Sequence, residues 1–211
     1  MWSSLLTALD ETSRDRLDAA LIPRSCAKGR FLFREGEPGD SVFIVASGHL
    51  LVEQVTANGD VVAVGVLQAD DIVGEQALVS NEPRMASVRA ITAVRGWTLH
   101  RPAFDEVRRD HPALDRLLVS VLDQRVRSLQ ALVSEARHVP AEVRLRRRLH
   151  ELCVCFDGEI PLTQQAIATM AGTTRPTVNA CLQQLREAGA VSLRRGRISV
   201  IDPDRLAPEA R

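Results

Sequence analysis

The stretch IPLTQQAIATMAGTTRPTVNACLQQLREAGAVSLRRGRISVI at residues 160–201 constrains the fold more than any other. Thr163 can cap the helical pattern QQAIATMA that follows it. Gly172 then supplies a tight turn. Thr173 or Thr174 can cap a second helix, whose first turn holds Pro176, where a missing N–H costs no bond. Val178, Leu182 and Leu185 share one face of that helix and are expected to be buried. Two short β-runs follow, bent at Gly196. Helix, turn, helix and ribbon in this order describe a winged helix-turn-helix.

In such a unit the N-terminal end of the second helix faces the base edges of a DNA major groove. The exposed residues expected there are Arg175, Thr177 and Asn179, with Pro176 beside them. Arg175 is the first candidate for a base contact, because a guanidinium can donate two hydrogen bonds to guanine. Gln164, Thr174 and Thr177 suit phosphate oxygens. Arg194, Arg195 and Arg197 place positive charge on the wing. Charge distribution agrees. The chain is neutral overall, but residues 1–136 carry 15 basic and 19 acidic side chains, whereas residues 137–211 carry 12 and 8. Only the C-terminal part is biased toward phosphate.

Upstream, from Ile22 to about Thr98, short runs rich in Val, Ile and Phe alternate with turn clusters. The runs include RFLF, SVFIVA, HLLVEQV, VVAVGVL, MASVRAI and RGWTL, which predict an antiparallel β-roll. Asn58-Gly59 reads as a two-residue hairpin, and GEPGD at 36–40 as the turn of another. Residues 1–20 predict one or two short helices, capped by Ser3 or Ser4 and by Thr12 or Ser13. Pro102 opens a short helix and Pro112 a long one. In the long helix Val119, Leu122, Val126, Leu129, Val133 and Ala136 recur at steps of 3 and 4, the spacing of a coiled-coil seam. This predicts a two-fold homodimer; an intrachain core helix is the other reading. A dimer predicts a near-palindromic double-stranded DNA site with half-sites about one helical turn apart. Pro140 breaks the helix. The expected organisation is therefore a β-roll over 1–111, a dimerisation helix and hinge over 112–138, and a winged helix-turn-helix over 139–211.

Several function classes are disfavoured. The sequence has no apolar run near the roughly 18 residues that a membrane span needs, and its first residues lack a signal-peptide pattern, so the expectation is a cytoplasmic protein away from membranes. Cys26, Cys153, Cys155 and Cys181 do not have zinc-ribbon spacing. They read as small buried hydrophobes, with a redox role for Cys153 and Cys155 as the alternative. No metal site is expected. No nucleophile–base pair and no NTPase-type phosphate loop is visible, so an enzyme is not expected.

Three segments, FREGEPGDSVFIVASGHLLV at 33–52, DIVGEQALVSNEPRMASVRA at 71–90 and TTRPTVNACLQQL at 173–185, resemble the cyclic AMP receptor protein and fumarate–nitrate regulator (Crp/Fnr) family. The resemblance covers roughly residues 15–203. It implies an α+β chain with an N-terminal cyclic-nucleotide-binding jelly roll, a long dimerisation helix and a C-terminal winged helix. It also implies an effector site at Gly74, Glu75, Arg84, Met85 and Ala86. There Arg84 and nearby backbone amides would hold a cyclic phosphate, and Glu75 would accept from a ribose hydroxyl. A structural Glu75–Arg84 ion pair is the competing reading. Leu129 and Gln130 stand where the family's nucleotide binders often offer hydroxyls to the purine. Met85 likewise replaces the usual Ser or Thr. The oxygen-sensing branch needs clustered thiolates, and only Cys26 lies in the N-terminal region, so no iron–sulfur cluster is expected. Two readings follow: a transcription regulator controlled by cyclic AMP or a related nucleotide, or a constitutive DNA-binding regulator with a degenerate pocket. RNA polymerase is a further candidate partner.

Overall fold

The structure is a computed structural model and describes residues 10–78, 80, 82–110 and 113–206. The expected first helix with its Ser3 or Ser4 cap, and Pro112, lie outside these residues. The chain divides into two compact units. One comprises 1–61 with 65–127, the other 128–211 with 62–64.

In the first unit α1 (Glu11–Ala20) precedes eight strands, β1 (Ile22–Cys26), β2 (Phe31–Phe33), β3 (Ser41–Ser47), β4 (Leu50–Val55), β5 (Val61–Leu67), β6 (Ile72–Val73), β7 (Ser87–Ala90) and β8 (Val94–His100). They form two four-stranded sheets, β1-β8-β3-β6 and β2-β7-β4-β5, as expected of an antiparallel β-roll. The apolar run SVFIVA is continuous because β3 is buried on both faces. Phe43 and Val45 join Leu32, Leu50, Val88 and Val94 in one core. Val42 packs on the other side with Leu17, Leu99, Phe104, Val107 and Leu114. Those last residues come from α1, β8, α2 (Arg101–Asp110) and the start of α3 (Ala113–His138). Strand β1 carries Pro23, which a sheet edge tolerates because its missing donor breaks no ladder. At Gly96 of β8 an added Cβ would lie 2.6 Å from the Phe43 ring, so only glycine fits this close approach.

Three local expectations need correction. The cap of α1 is Asp10, which accepts from the Ser13 N–H at 2.8 Å; it is neither Thr12 nor Ser13. Ser13 is buried inside the helix and donates its hydroxyl to the same carboxylate. The Asn58-Gly59 loop is longer than two residues. The Thr56 N–H donates to Asp60 O and the Gly59 N–H to Thr56 O, and of the pair only Gly59 has positive φ. A two-residue type I′ turn requires both. Nor does GEPGD join a hairpin, since β2 and β3 belong to different sheets.

In the second unit Pro140 precedes α4 (Ala141–Cys155), followed by β9 (Glu159–Ile160), α5 (Gln164–Met170), α6 (Arg175–Glu187), β10 (Val191–Arg194) and β11 (Arg197–Val200). The strands pair in the order β10-β11-β9. Leu145, Leu149 and Leu152 recur on one face of α4 and are buried, as are Ile160, Ile167 and Ile198. Helix α3 contributes residues to both units. Its Leu114 and Val121 are buried, while Val119, Val126, Leu129 and Val133 are each more than half exposed. No described helix is long and apolar enough to cross a membrane.

Candidate nucleic-acid interface and effector pocket

The reading end is built from its caps. The Thr163 hydroxyl accepts from the Ala166 N–H at 3.1 Å and starts α5. Gly172, with φ +59°, turns the chain, as its placement between two helical patterns required. Of the two candidate caps for α6, Thr174 is the one used: it accepts from the Thr177 N–H, and its hydroxyl lies 2.9 Å from that of Thr177. Thr177 is thus engaged within the first turn. Val178, Leu182 and Leu185 are buried, joined by Cys181, and they seat α6 on the domain. This leaves Arg175, Pro176 and Asn179 exposed at its N-terminal end. Asn179 Oδ1 accepts from Gln183 Nε2 at 3.4 Å.

Between this end and the wing runs an open groove of about 490 Å³, lined by Thr163, Gln164, Gln165, Arg175 and the wing turn. Gln165 was not singled out from the sequence, and Thr163 only as a helix cap, because only the fold brings both into one groove with Arg175. Arg194, Arg195 and Arg197 all project at the wing. They differ in availability. Arg197 is paired with Glu159 at 3.3 Å, whereas Arg175, Arg194 and Arg195 have no charged or hydrogen-bonding partner among the described residues. Together with the helix N-termini, these cations form a positively charged groove beside a protruding helix.

The second candidate site lies in the β-roll. Arg84 is buried, and its backbone is fixed by the GEPGD loop: the Gly36 N–H donates to Arg84 O, and the Arg84 N–H to Glu37 O. Its Nη1 donates to Ser41 O at 2.6 Å and its Nη2 to Ser41 Oγ at 3.1 Å. The guanidinium stacks 4.2 Å from the Phe33 centroid and stands 3.8 Å from Asp40. Burial pulls its pKa below the ordinary arginine value, with Asp40 opposing. Its Nε is buried without a partner among the described residues. Gly74, at φ +84°, passes so close that an added Cβ would overlap Nη1. The N–H groups of Met85 and Ala86 make no bond to another described residue. Met85 is exposed, and its carbonyl accepts from Gln54 Nε2.

Glu75 is also buried, but Arg84 is not its bonding partner. Arg125 of α3 donates to Glu75 Oε1 at 3.3 Å and to Ile72 O at 3.1 Å. The expected alternative of a structural Glu75–Arg84 pair is corrected accordingly. Arg125 was missed because its single signal was a position one residue before the seam residue Val126. Leu129 and Gln130 are exposed on α3, and Leu129 lies on the apolar stripe. Of the cysteines, Cys26, Cys153 and Cys181 are buried, and burial raises each thiol pKa, the setting of an unreactive core residue.

A cyclic nucleotide-binding domain matches residues 23–111 and a Crp-like helix-turn-helix domain matches residues 143–208. The chain belongs to the Crp/Fnr family. It is a Crp-like transcription regulator with a cyclic-nucleotide-binding domain and a DNA-binding helix-turn-helix. The CRP-like cAMP-activated global transcriptional regulator of Mycobacterium tuberculosis is 28% identical over 92% of this chain and 91% of that protein. Among solved structures, the catabolite activator protein of Thermus thermophilus is 25% identical, with a TM-score of 0.56 over 96% of this chain and 95% of that one. The c-di-GMP-responsive global regulator of Xanthomonas campestris shares the fold, with a TM-score of 0.75 at 18% identity over 90% and 99% of the two chains.

Proposed function

We propose that this Crp/Fnr regulator binds near-palindromic DNA as a homodimer and is controlled by cyclic AMP or a related cyclic nucleotide held in the β-roll. The observation that carries the effector reading is the buried Arg84 guanidinium, whose Nε, like the N–H groups of the neighbouring Met85 and Ala86, has no partner among the described residues. A buried cation with unused donors is poised for an anion, and a cyclic phosphate supplies the charge and the acceptors. Gly74 leaves room, and Glu75 would accept from the ribose once Arg125 shares or releases it. The relative in M. tuberculosis is described as cAMP-activated, which agrees with this choice.

On DNA, Arg175 reads a guanine. Gln164, Thr174 and Thr177 face phosphates, Pro176 and Asn179 pack along the groove, and Arg195 supplies charge from the wing. The exposed stripe of Val119, Val126, Leu129 and Val133 supports two-fold pairing through α3, because four half-exposed apolar side chains at heptad spacing gain from a second copy. Sedimentation equilibrium should show a dimer for the wild type and a shift to monomer for Val126→Glu. A monomeric wild type would end this part of the reading.

The constitutive reading has its own support. Ser41 and Asp40 already engage the Arg84 guanidinium, and Arg125 already holds Glu75. Calorimetric titration with cyclic AMP and cyclic GMP separates the two readings. Heat from the wild type that disappears in Arg84→Ala is the expected result. No heat from either nucleotide, with unchanged DNA affinity in their presence, establishes the constitutive regulator instead.

A further inference from the structure

Arg144 lies in the first turns of α4, outside both candidate sites, yet one guanidinium there reaches four backbone carbonyls. Its Nη1 donates to Val139 O at 2.6 Å and, more weakly, to Ala136 O at 3.5 Å. Its Nε donates to Ala171 O at 3.0 Å and its Nη2 to Gly172 O at 2.7 Å. The first two carbonyls belong to the last turn of α3 and the link that follows it. The last two belong to the C-terminal cap of α5 and the turn into α6. Both are carbonyl-rich helix ends, which carry partial negative charge and lack intrahelical donors. Among the described residues, no other side chain bonds to either turn carbonyl.

We infer that Arg144 is a positioning residue for DNA reading, joining the link at 136–139 to the turn at 171–172 that sets the direction of α6. A guanidinium is planar and its donors point in fixed directions, so bonds from opposite edges hold two carbonyl pairs at one separation. A shift in the link must move the arginine or break its bonds, and either event reaches the turn that presents Thr174 and Arg175. Lysine keeps the charge but concentrates its donors at one point, so it cannot span both pairs.

The test uses full-length wild type, Arg144→Lys and Arg144→Ala, with a duplex that the wild type selects from a random pool. Amide hydrogen exchange is followed in peptides covering 136–141 and 171–176, with and without saturating duplex. In the wild type the duplex should slow exchange in both segments. In Arg144→Lys it should slow exchange only at 171–176, and affinity for the selected duplex should fall by about ten-fold, the scale of lost charge-assisted hydrogen bonds. Affinity for an unrelated duplex at low salt should stay near the wild-type value. Should Arg144→Ala fail to fold, Arg144→Lys carries the test alone. Protection of 136–141 that survives in Arg144→Lys overturns the inference. So does its absence in the wild type, or an equal loss on selected and unrelated duplexes.

Discussion

Arg175 and Arg84 are the same side chain in opposite settings. Arg175 stands exposed at the start of α6, with no bonding partner among the described residues. Arg84 is buried between Phe33, Ser41 and Gly74, and most of its donors are spoken for. An exposed cation has little desolvation left to lose and will meet a phosphate or a base edge as the DNA dictates. A buried cation has already lost its water, so its remaining donors accept only an anion of fitting shape. Under the proposed function, the regulator would have a reading end whose specificity is completed by DNA, and a pocket whose selectivity is set in advance by the protein.

The severest challenge to this contrast removes the platform beneath the reading end. Leu182 is fully buried under α6. Leu182→Ala should cost about 2–5 kcal/mol of stability in chemical denaturation and abolish site-specific binding, although it touches no DNA contact. Normal stability would mean that α6 is seated by something other than its apolar stripe.

Next in size is Gly74→Ala. It forces a side chain into a left-handed backbone and against the Arg84 guanidinium. A loss of about 1–3 kcal/mol from backbone strain is expected in thermal melting, together with weaker nucleotide heat in calorimetry. If melting changes but DNA affinity at saturating protein does not, the two regions are separable as the contrast requires.

Arg175→Ala is the smallest and most specific change. It should lose about 1–3 kcal/mol at one base pair, relax preference there and leave the melting temperature unaltered. Titration against variant duplexes checks this. A uniform loss across all sequences would assign Arg175 to phosphate, and a lowered melting temperature would show it to be less free than its surroundings indicate.

The reading end was legible because it is local. Thr163, Gly172, Thr174 and the Val178–Leu182–Leu185 stripe all lie within one short segment, and caps, turns and helical spacing act over a few residues. Misreadings in the β-roll were also local in origin. Asp10 outcompeted Thr12 and Ser13 for the α1 cap, and Asn58 did not adopt the positive φ that a two-residue hairpin demands. The pocket was legible only in outline. Gly74, Glu75 and Arg84 were visible in one segment, but Phe33, Ser41 and Arg125 come from two strands and a helix far apart in the chain.

Sequence alone determined the order of a β-roll, a long helix and a winged helix, because hydrophobic period and turn chemistry are properties of neighbouring residues. Tertiary structure decided who answers each buried charge. Glu75 is held by Arg125 and not by Arg84, and Arg144 reaches two chain segments at once. A buried ion takes whichever partner the packing of distant elements brings within reach, and no spacing along the chain records that choice.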